Sequence, residues 1–187
     1  MKLYLLRHGA TAGNLHRAFI GRTDEGLCEE GRAALRGISA PPCEVLICSP
    51  MRRCLETARI LYPGMDPVLC EGLRECDFGE FEGHTHAELS GTPAYEAWLQ
   101  SGGSLPCPGA EESLDAAAQR CVAAFDALMQ AHAGARSVTL IVHGGTILSI
   151  LHRRALPQRD YYAHTIGNGG GFAGEYASGT VTGLEAL

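Results

Sequence analysis

The sequence predicts an α/β fold built on a mostly parallel sheet, and three observations predict it. Short apolar runs at Leu3–Leu6, Val45–Cys48 and Val138–Val142 read as buried strands. They alternate with stretches of helical spacing, the pattern of an α/β protein. Each run also ends in polar residues: Arg7-His8-Gly9, Ser49-Pro50-Met51-Arg52-Arg53 and His143-Gly144-Gly145. In such sheets ligands bind beyond the carboxyl ends of the strands.

In chain order, Leu3–Leu6 is the first strand and Glu29–Ile38 a helix. Val45–Cys48 is the second strand, and Ser49-Pro50 is expected to open the next helix, with Ser as N-cap and Pro at the first helical position. That helix runs to about Leu61 and stops at Pro63-Gly64. Pro67 to Gly83 reads as irregular, followed by short helices near His84–Leu89 and Ala94–Leu99 and a Gly/Pro-rich loop from Gly102 to Gly109. A long helix spans Ser113 to Ala133, the apolar strand Val138–Val142 follows, and Gly145 to Arg154 is helical. Gly171–Ala177 and Thr180–Leu184 form an edge hairpin around Ser178-Gly179. With no repeat or long linker, residues 1–187 are read as one domain.

The net charge of -6 argues against a nucleic-acid partner, whose footprint is basic. No stretch reaches the roughly 20 apolar residues of a membrane helix, and the first apolar run stops at Arg7. The chain is therefore expected to be cytoplasmic, with no membrane partner. Its eight cysteines include no C-x-x-C pair and no zinc-finger spacing, and they are read as reduced structural thiols. The oligomeric state is not legible.

Two histidines and at least two arginines converge on one crevice if the three strands are neighbours. Phosphoester chemistry needs donors on the phosphoryl oxygens, an in-line nucleophile and an acid for the leaving oxygen. His8, beside the fixed cation Arg7 and before a permissive Gly9, is the candidate nucleophile. In the helix after Ser49, residues Met51, Cys54, Leu55, Ala58 and Leu61 follow the core spacing. Arg52 shares a solvated face with Glu56 and Arg59, whereas Arg53 lies between the faces, one turn from Thr57, and is the expected phosphate ligand. His143 is placed to touch an anion, a core histidine being the plain alternative. The amides of Gly144 and Gly145 would add donors at a helix N-terminus. An acid is offered by the loop Leu73–Gly83, where the residues alone do not choose among Glu75, Asp77, Glu80 and Glu82.

The ordered set Leu6-Arg7-His8-Gly9-Ala10-Thr11-Ala12-Gly13-Asn14, Gly21–Gly31, Ser49–Ala58, Leu73–Gly79 and Val142-His143-Gly144-Gly145 resembles the histidine phosphatase superfamily, which includes the cofactor-dependent phosphoglycerate mutases. The resemblance implies a phosphoglycerate mutase-like fold of three layers, α/β/α, with a mixed, mainly parallel sheet flanked by helices. It implies His8 as the phosphorylated nucleophile, and Arg7, Arg53 and His143 as the phosphate pocket. Glu75, four residues before Gly79, would be the proton donor. Asn14 would bind phosphate oxygens from a second tier, and Arg22 would line the entrance. No metal and no cofactor are implied, and the partner is a small phosphorylated metabolite. The segment between Glu75 and His143 is compact and the tail short, which favours hydrolysis over mutase chemistry. The acid loop with Trp98 and Pro106–Ser113 most resembles the alpha-ribazole phosphatases of cobalamin assembly, although Gly109-Ala110-Glu111-Glu112-Ser113 stands where those commonly have Gly-Gly-Glu-Ser. His84, Glu88 and Trp98 are expected near the substrate. A mutase, or an idle phospholigand-binding relative, is the alternative.

Overall fold

The computed structural model describes all 187 residues. Six strands form one sheet: β1 (Lys2–Arg7), β2 (Val45–Cys48), β3 (Val68–Leu69), β4 (Ser137–Val142), β5 (Gly171–Ala177) and β6 (Thr180–Ala186). Their order is β3-β2-β4-β1-β5-β6. The first four run parallel to one another, and β5 and β6 are antiparallel additions. The sheet is therefore mixed and mainly parallel, as expected. Seven helices accompany it: α1 (Ala12–Leu15), α2 (Glu29–Arg36), α3 (Arg52–Leu61), α4 (His86–Leu89), α5 (Pro93–Gln100), α6 (Leu114–Ala131) and α7 (Gly144–Arg154).

The period of two along each strand divides the core into two layers. Leu3 and Leu5 of β1, Ile47 of β2, and Val138, Leu140 and Val142 of β4 pack with Phe125 and Met129 of α6 and Ile147 and Ile150 of α7. Their neighbours Leu6, Leu46, Cys48 and Ile141 face the other way, onto Leu35 of α2 and Cys54, Ala58 and Leu61 of α3. Strands covered on both faces must be apolar throughout, which is why these runs were legible. A third cluster, Phe81, Leu89, Tyr95, Trp98 and Cys107, lies apart from both and gathers α4, α5 and the loop before α6.

The entry to α3 differs from expectation. Its N-cap is Met51, with no side-chain cap, and Pro50 precedes the helix. The carboxylate of Asp24, distant in sequence, accepts the Arg52 N–H at 2.7 Å, so Ser49 is released for another task. The stretch read as irregular also holds β3, too short and exposed to show a pattern, and two single turns at Glu71–Leu73 and Gly79–Phe81. The short helix expected from His84 begins at His86, because Thr85 caps it through the Glu88 N–H. No helix is long and apolar enough to cross a membrane.

Candidate active site

The parallel order places the carboxyl ends of β1, β4 and β2 side by side, with Arg7 paired to Val142 and Cys48 to Ile141. His8 and His143 follow directly, their ring centroids 5.2 Å apart. His8 is buried, and its Nδ1 lies 2.7 Å from the Gly9 carbonyl. A carbonyl only accepts, so Nδ1 carries the hydrogen and Nε2 is left as a bare lone pair. Burial, then the charges of Arg53 and Arg7, push the His8 pKa down to about 3 against the Gly9 bond. The ring is thus held neutral, in the tautomer a nucleophile needs.

Arg53 is wholly buried in the first turn of α3. Its Nη1 donates to the Thr23 carbonyl and its Nη2 to the Gly21 carbonyl, both at 2.8 Å, and its Nε donates to Nδ1 of His143 at 3.2 Å. A guanidinium has five N–H groups, so one on each terminal nitrogen remains unspent. Arg52 is exposed and pairs with Glu56 at 2.9 Å, the solvated face that its spacing predicted. Arg7 donates from Nη1 to the Ile166 carbonyl at 2.7 Å, while its Nε is buried with no partner. A buried orphan donor costs about 1–3 kcal/mol and is a natural seat for a phosphoryl oxygen.

His143 is fully enclosed, and burial with the Arg53 charge keeps it neutral, its pKa well below the ordinary value. Nδ1 accepts from Arg53, so Nε2 carries the hydrogen and donates to Ser49 Oγ at 2.8 Å. Both ring nitrogens are therefore engaged by the protein, and the ring bridges Arg53 to the end of β2.

Glu75 lines a cavity of about 240 Å³ together with Arg7, Asn14 and Gly144. Its Oε1 accepts the Cys76 N–H and its Oε2 the Gly145 N–H, each at 3.0 Å. The Gly145 amide expected to meet an anion thus holds the acid instead. A Cβ there would stand 2.5 Å from Glu75 Oε1 and would displace the carboxylate. The other acids of the loop are otherwise occupied or face solvent. Asp77 accepts the N–H groups of Gly79 and Glu111, and Glu80 is exposed. Glu82 accepts the N–H groups of Arg22 at 2.5 Å and Thr23 at 2.6 Å, and also that of Phe78. It fixes the segment whose carbonyls hold Arg53.

Asn14 presents Oδ1 to the Asn168 side chain at 2.9 Å and to the Thr11 N–H, which leaves its NH2 group for a ligand. Arg22 is exposed, 3.4 Å from Glu112, and is not among the residues lining the cavity. Trp98 packs in the aromatic cluster, Glu88 closes the α4 capping box and His84 is exposed, so none lines the cavity. Three positioning residues escaped the sequence reading. Thr57 accepts the Gly9 N–H and donates to the Arg53 carbonyl, Ser49 receives His143, and Asn168 donates to the His8 carbonyl at 3.2 Å. Only Thr57, one turn from Arg53, gave a sequence signal.

No three His, Cys, Asp or Glu side chains are grouped as metal ligands. The cysteines stand unpaired, and burial raises the Cys48 thiol to about 12 and those of Cys107 and Cys121 to about 11. Such thiols stay protonated and unreactive.

Residues 3–180 match the family model described as histidine phosphatase superfamily (branch 1). The chain belongs to that superfamily. It is 31% identical over 166 residues to phosphoglycerate mutase-like protein 4 of Arabidopsis thaliana, covering 83% of this chain and 71% of that one. It is 30% identical over 166 residues to the adenosylcobalamin/alpha-ribazole phosphatase of Salmonella typhimurium, covering 83% and 80%. The crystal structure of the alpha-ribazole phosphatase from Shigella flexneri superposes with a TM-score of 0.87 at 22% identity, covering 100% of this chain and 96% of that chain, and so shares its fold.

Proposed function

We propose that this chain is a phosphomonoester hydrolase that works through a phosphohistidine on His8, takes a small phosphorylated metabolite as its substrate, and needs no metal or cofactor. The observation that carries the reading is a buried, neutral histidine with a bare Nε2, set between two arginines that keep unspent N–H donors. Arg7 and Arg53 draw charge from the phosphoryl oxygens. His143 holds Arg53 in place from behind, and Asn14 and Gly144 line the cavity. Nε2 then bonds to phosphorus as the ester P–O bond breaks, and Glu75 gives its proton to the departing oxygen. In the second half, water attacks phosphorus, Glu75 takes its proton, the N–P bond breaks and phosphate leaves. Alpha-ribazole phosphate is the first substrate to try, on the likeness to the Salmonella phosphatase.

Mutase-type transfer is the second reading, favoured by the likeness to the plant mutase-like protein. Phosphate release should be measured with EDTA present from alpha-ribazole phosphate, phosphoglycerates, sugar phosphates and nitrophenyl phosphate, for wild type and His8→Ala. Release by wild type alone, with acid-labile phosphate on the protein, supports the hydrolase. Transfer that demands a bisphosphate primer, without release, would replace it by the mutase.

A further inference from the structure

The cavity that reaches Arg7 and Glu75 has a distinctive wall. Beyond the polar residues at its base, it is formed largely by Phe19, Ile20, Phe78, Leu148 and Ile166. Phe19 and Phe78 are half-buried, with ring centroids 5.1 Å apart and planes 49° to each other. Phe19 is braced from behind by Trp98, edge-on at 5.9 Å, and by Tyr95 at 6.1 Å. The platform is therefore rigid before any ligand arrives, which reduces the ordering cost of binding. An apolar cavity of roughly 150 Å³ admits a benzene ring, and this one is about 240 Å³.

The charges around the wall point the same way. Arg7 is the only cation among the lining residues, and it belongs to the phosphoryl group. Arg22 lies on the exposed side, next to Glu112, which Arg120 also holds at 2.5 Å. A carboxylate on the leaving group would find no unspent cation on this wall. An aromatic ring finds two faces and an aliphatic surround.

We propose that this site takes phosphoesters of uncharged alcohols bearing an aromatic ring, which packs on Phe19 and Phe78, and discriminates against esters whose alcohol carries a carboxylate. The inference rests on the hydrolase reading and adds the chemistry of the leaving group to it.

The test compares benzyl phosphate, glycerol 3-phosphate and 3-phosphoglycerate, all esters of aliphatic-type alcohols, so leaving-group acidity does not decide the order. The expected kcat/KM for benzyl phosphate exceeds that for glycerol 3-phosphate by about tenfold and that for 3-phosphoglycerate by about a hundredfold, of the size a well-packed apolar contact provides. Phe78→Ala lowers the benzyl-to-glycerol ratio about fivefold or more, and Phe78→Leu, which keeps the apolar volume, lowers it less. Equal values for the three esters, or a preference for 3-phosphoglycerate, overturns the proposal while leaving the hydrolase intact. A second measurement needs no turnover: binding of benzylphosphonate and 3-phosphonopropionate to the protein, followed by calorimetry and by the fluorescence of Trp98, the single tryptophan. Benzylphosphonate should bind about tenfold tighter. If no ester is cleaved and no phosphohistidine forms, the hydrolase reading fails, and the phosphonate order alone decides this one; equal or reversed affinities refute it.

Discussion

His8 is a base kept neutral by its surroundings. Its ring should titrate below pH 4 when followed by NMR, because burial and two guanidinium groups take its pKa to about 3; a midpoint near the ordinary 6.5 would contradict the assigned nucleophile. His8→Ala should fold normally and form no phosphoenzyme. Glu75→Gln should slow alkyl phosphoesters by ~10²–10⁴ and nitrophenyl phosphate far less, since that leaving group departs without a proton. Equal losses on both would remove Glu75 as the acid. Gly145→Ala tests the same role from the side: its Cβ would stand 2.5 Å from Glu75 Oε1, so it should reproduce the selective defect on alkyl esters. Arg7 and His8, the proposed nucleophile, were legible because they close an apolar run, and Arg53 because helical spacing set it apart from Arg52. Glu75, the proposed acid, was legible only through the family resemblance. What separates Glu75 from Asp77 and Glu82 is the set of backbone N–H groups each accepts, and those come from distant segments.

At the scale of the element, α3 turns adjacent arginines to opposite fates. Arg52→Ala removes one exposed ion pair, worth about 0–1 kcal/mol, and Glu56 keeps Arg32 at 2.5 Å; activity should barely change. Arg53→Ala should cost ~10²–10³ in kcat and also lower the Tm, since it strips partners from the Gly21 and Thr23 carbonyls and from His143. The opposite ranking in kinetics would refute the assignment. Helical spacing was enough to tell these faces apart. It did not reveal the cap, because a carboxylate 28 residues before Arg52 occupies the helix entrance. β3 was hidden for a related reason: two exposed residues carry no periodicity, and only pairing with β2 makes them a strand.

Across the whole molecule, the sheet brings two neutral histidines into its buried interior. Both have native pKa values below their unfolded ones, so the unfolded chain binds more protons, and stability rises with pH through the unfolded value near 6.5. That contribution is fully present above pH 6.5 and is lost as the pH falls below it. The Tm should therefore drop between pH 7 and pH 5, and His8→Asn, which removes one titrating ring, should flatten that drop. An unchanged slope would show that His8 is not held neutral in the folded protein. The architecture was the most legible level, since burial on both faces demands continuous apolar strands. The antiparallel hairpin was legible as well, from its turn at Ser178-Gly179.

The proposed phosphoryl seat is carried on strand ends and the first turns of α3 and α7, whereas the wall comes largely from connectors. The connector from Phe19 to Thr23 and the acid loop that bears Phe78 are tied together through the Glu82 carboxylate. Inheritance can act on these two parts separately. A lineage can exchange Phe19, Ile20 or Phe78 and acquire a new taste in alcohols without disturbing the nucleophile, so long as Glu82 keeps the two connectors in step.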